Sequence, residues 1–247
     1  MGQDLAVLRL DSVTKTYSRS HLGRSTVSRG VEDLSLTVKE GEAFGLLGLN
    51  GSGKTTTLKL VLGLLKPTSG TLSVLGGAPD SPAVLAQLGF LPELPYFYSF
   101  LTPAESLRFY GRLSGVPADE LIERIDDTLA AVGMTADRDR KMGEFSKGMV
   151  QRVGLAQAVL HEPRLVLLDE PVSGLDPLAI KEFRDNLLAL NAKGTTLIIS
   201  SHSISELEKL CHRVGILKDG RLVRTLSQQD WRSAEGGLEA LFVETVR

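Results

Sequence analysis

The chain has 247 residues, 42% of them hydrophobic and 23% charged, which supplies a substantial core and excludes a disordered polymer. Its formal net charge of −2 excludes the broad basic field of a nucleic-acid-binding protein. The one cysteine, Cys211, excludes an internal disulfide and suits a reducing compartment.

Residues 1–10 carry Asp4 and Arg9 and lack the apolar stretch of a signal peptide. No run approaches the roughly 18 apolar residues of a membrane-spanning helix, so a soluble chain is expected, with any membrane role peripheral. Residues 5–14, 31–38 and 42–48 are Val/Leu-rich runs bounded by turn residues and predict strands. Between Tyr17 and Val31 a polar segment holds Arg19, His21, Arg24 and Arg29 and no acid; it predicts a mobile loop at a hairpin tip. A Gly-rich turn then leads into a predicted helix over 54–65, followed by a short strand over 70–75.

Strands at 88–91, 165–168 and 195–200 alternate with helices, the pattern of a parallel sheet covered on both faces. Helix starts are well marked. Thr102-Pro103-Ala104-Glu105 has capping-box spacing with Pro at the first helical position, and Asp176-Pro177 and Ser203-Ile204-Ser205-Glu206 repeat those devices. The block 102–160 is helical throughout. The expected fold is α/β: a P-loop core whose mixed sheet has an antiparallel N-terminal part and a parallel centre, with an inserted helical lobe. Residues 1–92 and 161–226 form the core in this reading, 93–160 the lobe, and 227–247 a tail ending in an amphipathic stretch.

Gly48-Leu49-Asn50-Gly51-Ser52-Gly53-Lys54-Thr55, followed by Thr56, matches G-x-x-x-x-G-K-[ST] between a strand and a helix. Glycines let backbone N–H groups wrap phosphates where a Cβ would intrude, and the helix N-terminus adds partial positive charge. Lys54 is expected to reach the β- and γ-phosphates and Thr55 to ligate Mg²⁺. A plain Gly-rich turn with an exposed lysine is the bland alternative. Leu165-Val166-Leu167-Leu168-Asp169-Glu170 is an apolar strand delivering two acids to its C-terminal edge, where open α/β sheets bind ligands. There Asp169 is expected to hold Mg²⁺ through water and Glu170 to orient and deprotonate an attacking water.

Together with these motifs, Ser146-Lys147-Gly148-Met149 ahead of a helix, Ser173-Gly174-Leu175-Asp176 and the isolated His202 stand in the order seen in ABC-type ATPases. The chain resembles that family over about residues 5–218. Phe145-Ser146-Lys147-Gly148-Met149, Leu91-Pro92-Glu93 and Leu238-Glu239-Ala240-Leu241-Phe242 make it similar to the ATPases of ABC-2-type exporters. The resemblance implies ATP with Mg²⁺, and a head-to-tail homodimer, or a pair with a closely related ATPase subunit. It also implies a separate integral-membrane permease on the cytoplasmic face of a prokaryotic cell membrane, and no nucleic acid. Tyr17 is similar to the aromatic that stacks on adenine, with an ordinary strand-edge tyrosine as the alternative. The family's signature serine corresponds to Ser146, with Gly148 leaving room for the other subunit's γ-phosphate. His202 would hold the γ-phosphate and the attacking water. Asp176 would touch the opposing subunit, or serve only as a helix cap.

Two positions depart from the commonest family pattern. Lys147 stands where Gly is usual, and its charge is expected to attract phosphate or to remain a solvated surface charge. Glu93 replaces Gln and could ligate Mg²⁺ directly, or be only a turn residue. The aromatic run Leu94-Pro95-Tyr96-Phe97-Tyr98-Ser99-Phe100 is expected to form a groove for a permease helix, unless its rings pack inward. Importer ATPases and soluble non-transport ABC ATPases remain the alternatives. The lack of a coiled-coil insertion and of a second P-loop opposes the latter, and the short tail after Lys218 opposes the former.

Overall fold

The computed structural model describes residues 6–21 and 24–247, with the side chains of 18–27 outside the description. In chain order the elements are β1 (Ala6–His21), β2 (Arg24–Lys39), β3 (Ala43–Leu47), α1 (Lys54–Val61), β4 (Ser69–Val74), α2 (Pro82–Leu85), β5 (Leu88–Leu91), α3 (Pro103–Leu113), α4 (Leu121–Ala131), α5 (Lys147–Val159), β6 (Leu165–Asp169), α6 (Pro177–Ala192), β7 (Thr196–Ser201), α7 (Ile204–Leu210), β8 (Arg213–Lys218), β9 (Arg221–Ser227), α8 (Gln228–Ser233) and α9 (Gly237–Val246). They fall into two compact units, Met1–Leu85 with Thr196–Arg247, and Ala86–Thr195.

The first unit carries the expected mixture of strand directions. An antiparallel sheet runs β2-β1-β4, and β3 lies between β7 and β8, parallel to both, with β9 antiparallel on β8. All five residues of β3 are buried, the pattern of a strand covered on both faces. Phe44, Leu46, Leu47, Leu58 and Leu60 are almost wholly withdrawn from water, each contributing about 2 kcal/mol of burial. Glu42, buried just before β3, accepts from Lys39 N at 2.8 Å and from Arg213 Nη1 at 3.0 Å, so its charge is neutralised where the sheet begins.

One expectation fails here. The polar segment after Tyr17 is no loop: β1 and β2 stay paired through Tyr17↔Ser28, Arg19↔Thr26 and His21↔Arg24. Polar residues hid this ribbon, because a run of polar residues has no apolar alternation to reveal a strand. Residues 22–23 lie outside the described residues, as does the expectation for residues 1–5.

In the second unit β5 and β6 pair in parallel, Leu88↔Leu165 through Leu91↔Leu168, and the helices α3, α4 and α5 belong to the same unit. The capping box of α3 is complete, with Thr102 N donating to Glu105 Oε2 at 2.9 Å and Glu105 N to Thr102 Oγ1 at 3.2 Å. By contrast Ser203, at the start of α7 in the first unit, makes no side-chain capping bond; its own N–H donates to Ser201 Oγ at 2.9 Å. Among the described residues no helix is long and apolar enough to cross a membrane.

His161, just after α5, donates from Nε2 to Leu88 O at 2.9 Å, while its Nδ1 is buried without a hydrogen-bond partner. Burial, the larger effect, holds this imidazole's pKa below its ordinary value, against the raising influence of the Leu88 bond. The unfolded chain therefore takes up a proton here that the folded chain refuses. Stability should be unaffected by this group above about pH 6.5 and decline as pH falls below it. Urea midpoints measured from pH 7.5 to 5.5 check this: His161→Gln should lose part of the wild-type slope.

Candidate active site

The phosphate cradle is built wholly within the first unit. β3 ends at Leu47, and α1 begins at Lys54 with Gly53 at its N-cap and no acid in its first turn, leaving the helix terminus open to an anion. Gly53 sits at φ +106, and a Cβ there would stand 2.7 Å from Gly30 O, so no other residue fits. The loop is braced twice: Ser52 N donates to Leu49 O at 3.1 Å, and Gly220 N to Ser52 O at 3.1 Å. Lys54 is buried and donates to Gly48 O at 2.7 Å and Leu49 O at 3.4 Å, which fixes its ammonium over the loop. Ser52 Oγ is buried inside the cradle with no hydrogen-bond partner. A glycine-rich turn on a helix N-terminus, holding one ammonium and an unsatisfied hydroxyl, fits a chain of phosphates.

Tyr17 belongs to this cradle. Its hydroxyl shares a hydrogen bond with Thr56 Oγ1 at 3.3 Å, and a Cβ at Gly30 would meet its ring at 2.7 Å. Lys15 Nζ lies 5.8 Å from the ring centroid. The tyrosine is thus seated beside the start of α1 rather than stranded on an unrelated strand edge. His202, exposed, follows the end of β7 in the same unit. Sequence reasoning missed Gly220, the brace of the loop. Its signal was the Asp219-Gly220 pair, both at positive φ, in the turn joining β8 and β9.

The second unit carries the acids and the signature segment. All of β6 is buried, and it ends in Asp169, followed by Glu170; their exposures are 8% and 9%. Glu170 adopts φ +47, a conformation few non-glycine residues tolerate, at the entry to a turn closed by Ser173 N donating to Glu170 O at 3.1 Å. Ser146 caps α5 by accepting from Met149 N at 3.3 Å. Asp176 caps α6 by accepting from Leu178 N at 3.0 Å and Ala179 N at 2.9 Å, with Pro177 behind it. Gly148 faces this same segment: a Cβ on it would lie 3.4 Å from the Ala179 methyl. Glu93 is exposed, two residues beyond β5.

Lys147 departs from expectation. Its ammonium, on an exposed side chain, donates to the backbone carbonyl of Ser173, a partner that neither expectation named. Phe97 departs too. It is 9% exposed and packs edge-on against Tyr110, ring centroids 6.0 Å apart, whereas Tyr96, Tyr98 and Phe100 are 83%, 51% and 65% exposed.

A strand–glycine turn–helix cradle with one buried lysine, on a mixed α/β sheet, defines a P-loop nucleoside triphosphatase. The ABC transporter family matches residues 31–173, more than half of the chain, and the protein belongs to that family as an ABC-type ATPase domain. It is 47% identical over 191 residues to an ABC transporter ATP-binding protein of Nostoc, covering 76% of this chain and 57% of that one. It is 38% identical over 223 residues to the bacitracin transport ATP-binding protein BcrA of Bacillus licheniformis, covering 89% and 69%. The chain thus spans between about half and two thirds of the length of these relatives. Among solved structures, an ATP-binding subunit of an ABC transporter superposes with TM-score 0.81 at 32% identity, covering 97% of this chain and 99% of that one. The dimeric, post-hydrolysis state of the ATP-binding cassette MJ0796 bound to ADP and phosphate gives 0.79 at 26% identity, covering 90% and 98%.

Proposed function

We propose that the chain binds and hydrolyses ATP as the energising subunit of a membrane transporter, pairing with a second copy and with a separate permease, in the direction of export. The glycine-rich cradle on the start of α1 carries this reading, because it joins an open helix N-terminus to the buried Lys54 ammonium, the charge a phosphate site needs. Here Lys54 and the loop amides hold the phosphates, Tyr17 stacks on the base and Thr56 steadies its hydroxyl. Gly48, Leu49, Asn50, Gly51, Ser52 and Gly53 shape the loop. Thr55 and Asp169, with Glu93, would hold Mg²⁺, which screens phosphate charge. Glu170 takes the proton of the attacking water and His202 keeps the water and γ-phosphate in place. Residues 1–92 and 161–226 serve as core in this plan and 93–160 as lobe.

Ser146, Gly148 and Asp176 serve the nucleotide held by the second copy. Two-fold pairing would enclose each ATP and exclude water from it, which strengthens every charge interaction at the γ-phosphate. The dimeric MJ0796 structure supports pairing, and the bacitracin transport relative supports a role in transport. Such a subunit would sit peripherally at the cytoplasmic face of a bacterial membrane.

Contact with the permease falls to the exposed rings of Tyr96, Tyr98 and Phe100, of which the latter two lie 5.5 Å apart. Because Phe97 belongs to the interior, a charge there would test folding rather than docking. The test uses the purified chain and the multi-span protein encoded beside it. The chain should release phosphate from ATP with Mg²⁺ and co-purify with that partner. Tyr98→Asp with Phe100→Asp should cut co-purification about tenfold while ATP turnover of the isolated chain stays within about twofold. Absence of phosphate release, alone and with the partner, would overturn the reading; undiminished co-purification would overturn the docking surface.

A further inference from the structure

Between the start of α5 and the turn that follows β6 lies a contact that no sequence motif announces. The Lys147 ammonium donates to Ser173 O, across 26 residues of chain. Its stem lies along Gly174: a Cβ there would meet Nζ at 2.8 Å, Cε at 3.8 Å and Cδ at 3.9 Å. Gly174 also holds φ +69, a backbone conformation that favours glycine. Farther along α5, a Cβ on Gly148 would lie 3.4 Å from the Ala179 methyl and 3.9 Å from Leu175 Cδ2, and Arg152 forms an ion pair with Glu182. Helix α5 and the 173–182 segment are therefore joined by two polar contacts, one at each end of this stretch.

The Ser173 peptide links two functional groups. Its carbonyl receives Lys147, next to the Ser146 cap; its N–H donates to the carbonyl of Glu170. Three residues farther on stands Asp176, the cap of α6. Two hydrogen bonds thus run from the signature segment to the backbone of the catalytic glutamate, which is held at its unusual φ by the same turn.

We propose that Lys147 is a positioning residue for ATP hydrolysis: it clamps the Ser173–Asp176 turn to the signature helix, so that Ser146, Asp176 and Glu170 are set as one body. Glycine, usual at this position in ABC-type ATPases, has no side chain to make the bond. This rests on the proposed function for its catalytic consequence, though the clamp itself does not.

Two measurements separate these. Amide hydrogen exchange over residues 170–176 of the chain without nucleotide should be about five- to tenfold faster in Lys147→Met, which keeps the stem but loses the donor, and should return to normal in Lys147→Arg. In steady-state phosphate release, Lys147→Met should lower kcat about fivefold with KM for ATP within about twofold, and Lys147→Arg should restore it. Unchanged exchange in Lys147→Met would overturn the clamp. Faster exchange with unchanged kcat would overturn its role in positioning. A raised KM at constant kcat would overturn it in favour of direct attraction between Lys147 and phosphate. Wild-type chain without any phosphate release would overturn the proposed function and leave the exchange result standing.

Discussion

Replacing Glu170 by Gln should lower ATP turnover about 100- to 1000-fold while leaving ATP affinity within about twofold. The carboxylate stands at the buried end of β6, 9% exposed, on a backbone that places it at φ +47. Glutamine has the same shape and keeps the turn, in which only the Glu170 carbonyl accepts from Ser173 N. It cannot accept a proton from water. On the proposed mechanism the substitution removes general-base catalysis and little else, and the ternary complex with ATP and Mg²⁺ should persist for many times the wild-type cycle. Single-turnover phosphate release together with equilibrium nucleotide binding checks both halves. A loss below tenfold would assign the proton to another acceptor, with His202 the first candidate.

Lys54→Ala should act on binding instead, weakening ATP affinity at least about 100-fold. A charge-assisted hydrogen bond is worth about 1.5–3 kcal/mol, and this lysine would supply more than one to a phosphate chain in a buried site. The fold should survive. The lysine's bonds to Gly48 O and Leu49 O are lost, but Gly53 and the bonds Ser52 N to Leu49 O and Gly220 N to Ser52 O, which do not use its side chain, still hold the loop. Equilibrium binding and thermal unfolding together test this: lost affinity with an unchanged Tm is expected. A variant that binds ATP normally would remove Lys54 from the phosphate site.

Much of this architecture is legible in the sequence where the determinants are local. The strand at 88–91 is observed at those residues, and the helix predicted from Lys147 begins there, because Ser146 and the apolar periodicity after it are neighbours in sequence. The α3 capping box is likewise a matter of adjacent residues. Legibility fails where a partner is remote or the surface is polar. The extension of β1 and β2 depends on cross-strand pairing of polar residues, which carries no periodic signature. Lys147 has its partner 26 residues away, so composition could offer only phosphate or solvent as its destination. In the aromatic run around Phe97, sequence gives the number of rings but not which face of the chain each occupies; Tyr110 on α3 draws Phe97 inward and leaves Tyr96 and Tyr98 outside.

The role proposed for Ser146 and Asp176 requires that one chain finish the nucleotide site of another. Light scattering of the Glu170→Gln chain in ATP and Mg²⁺ addresses this without a permease. The mass of two chains is predicted with ATP, reverting to one chain with ADP. A single-chain mass at saturating ATP, with nucleotide demonstrably bound, would contradict it.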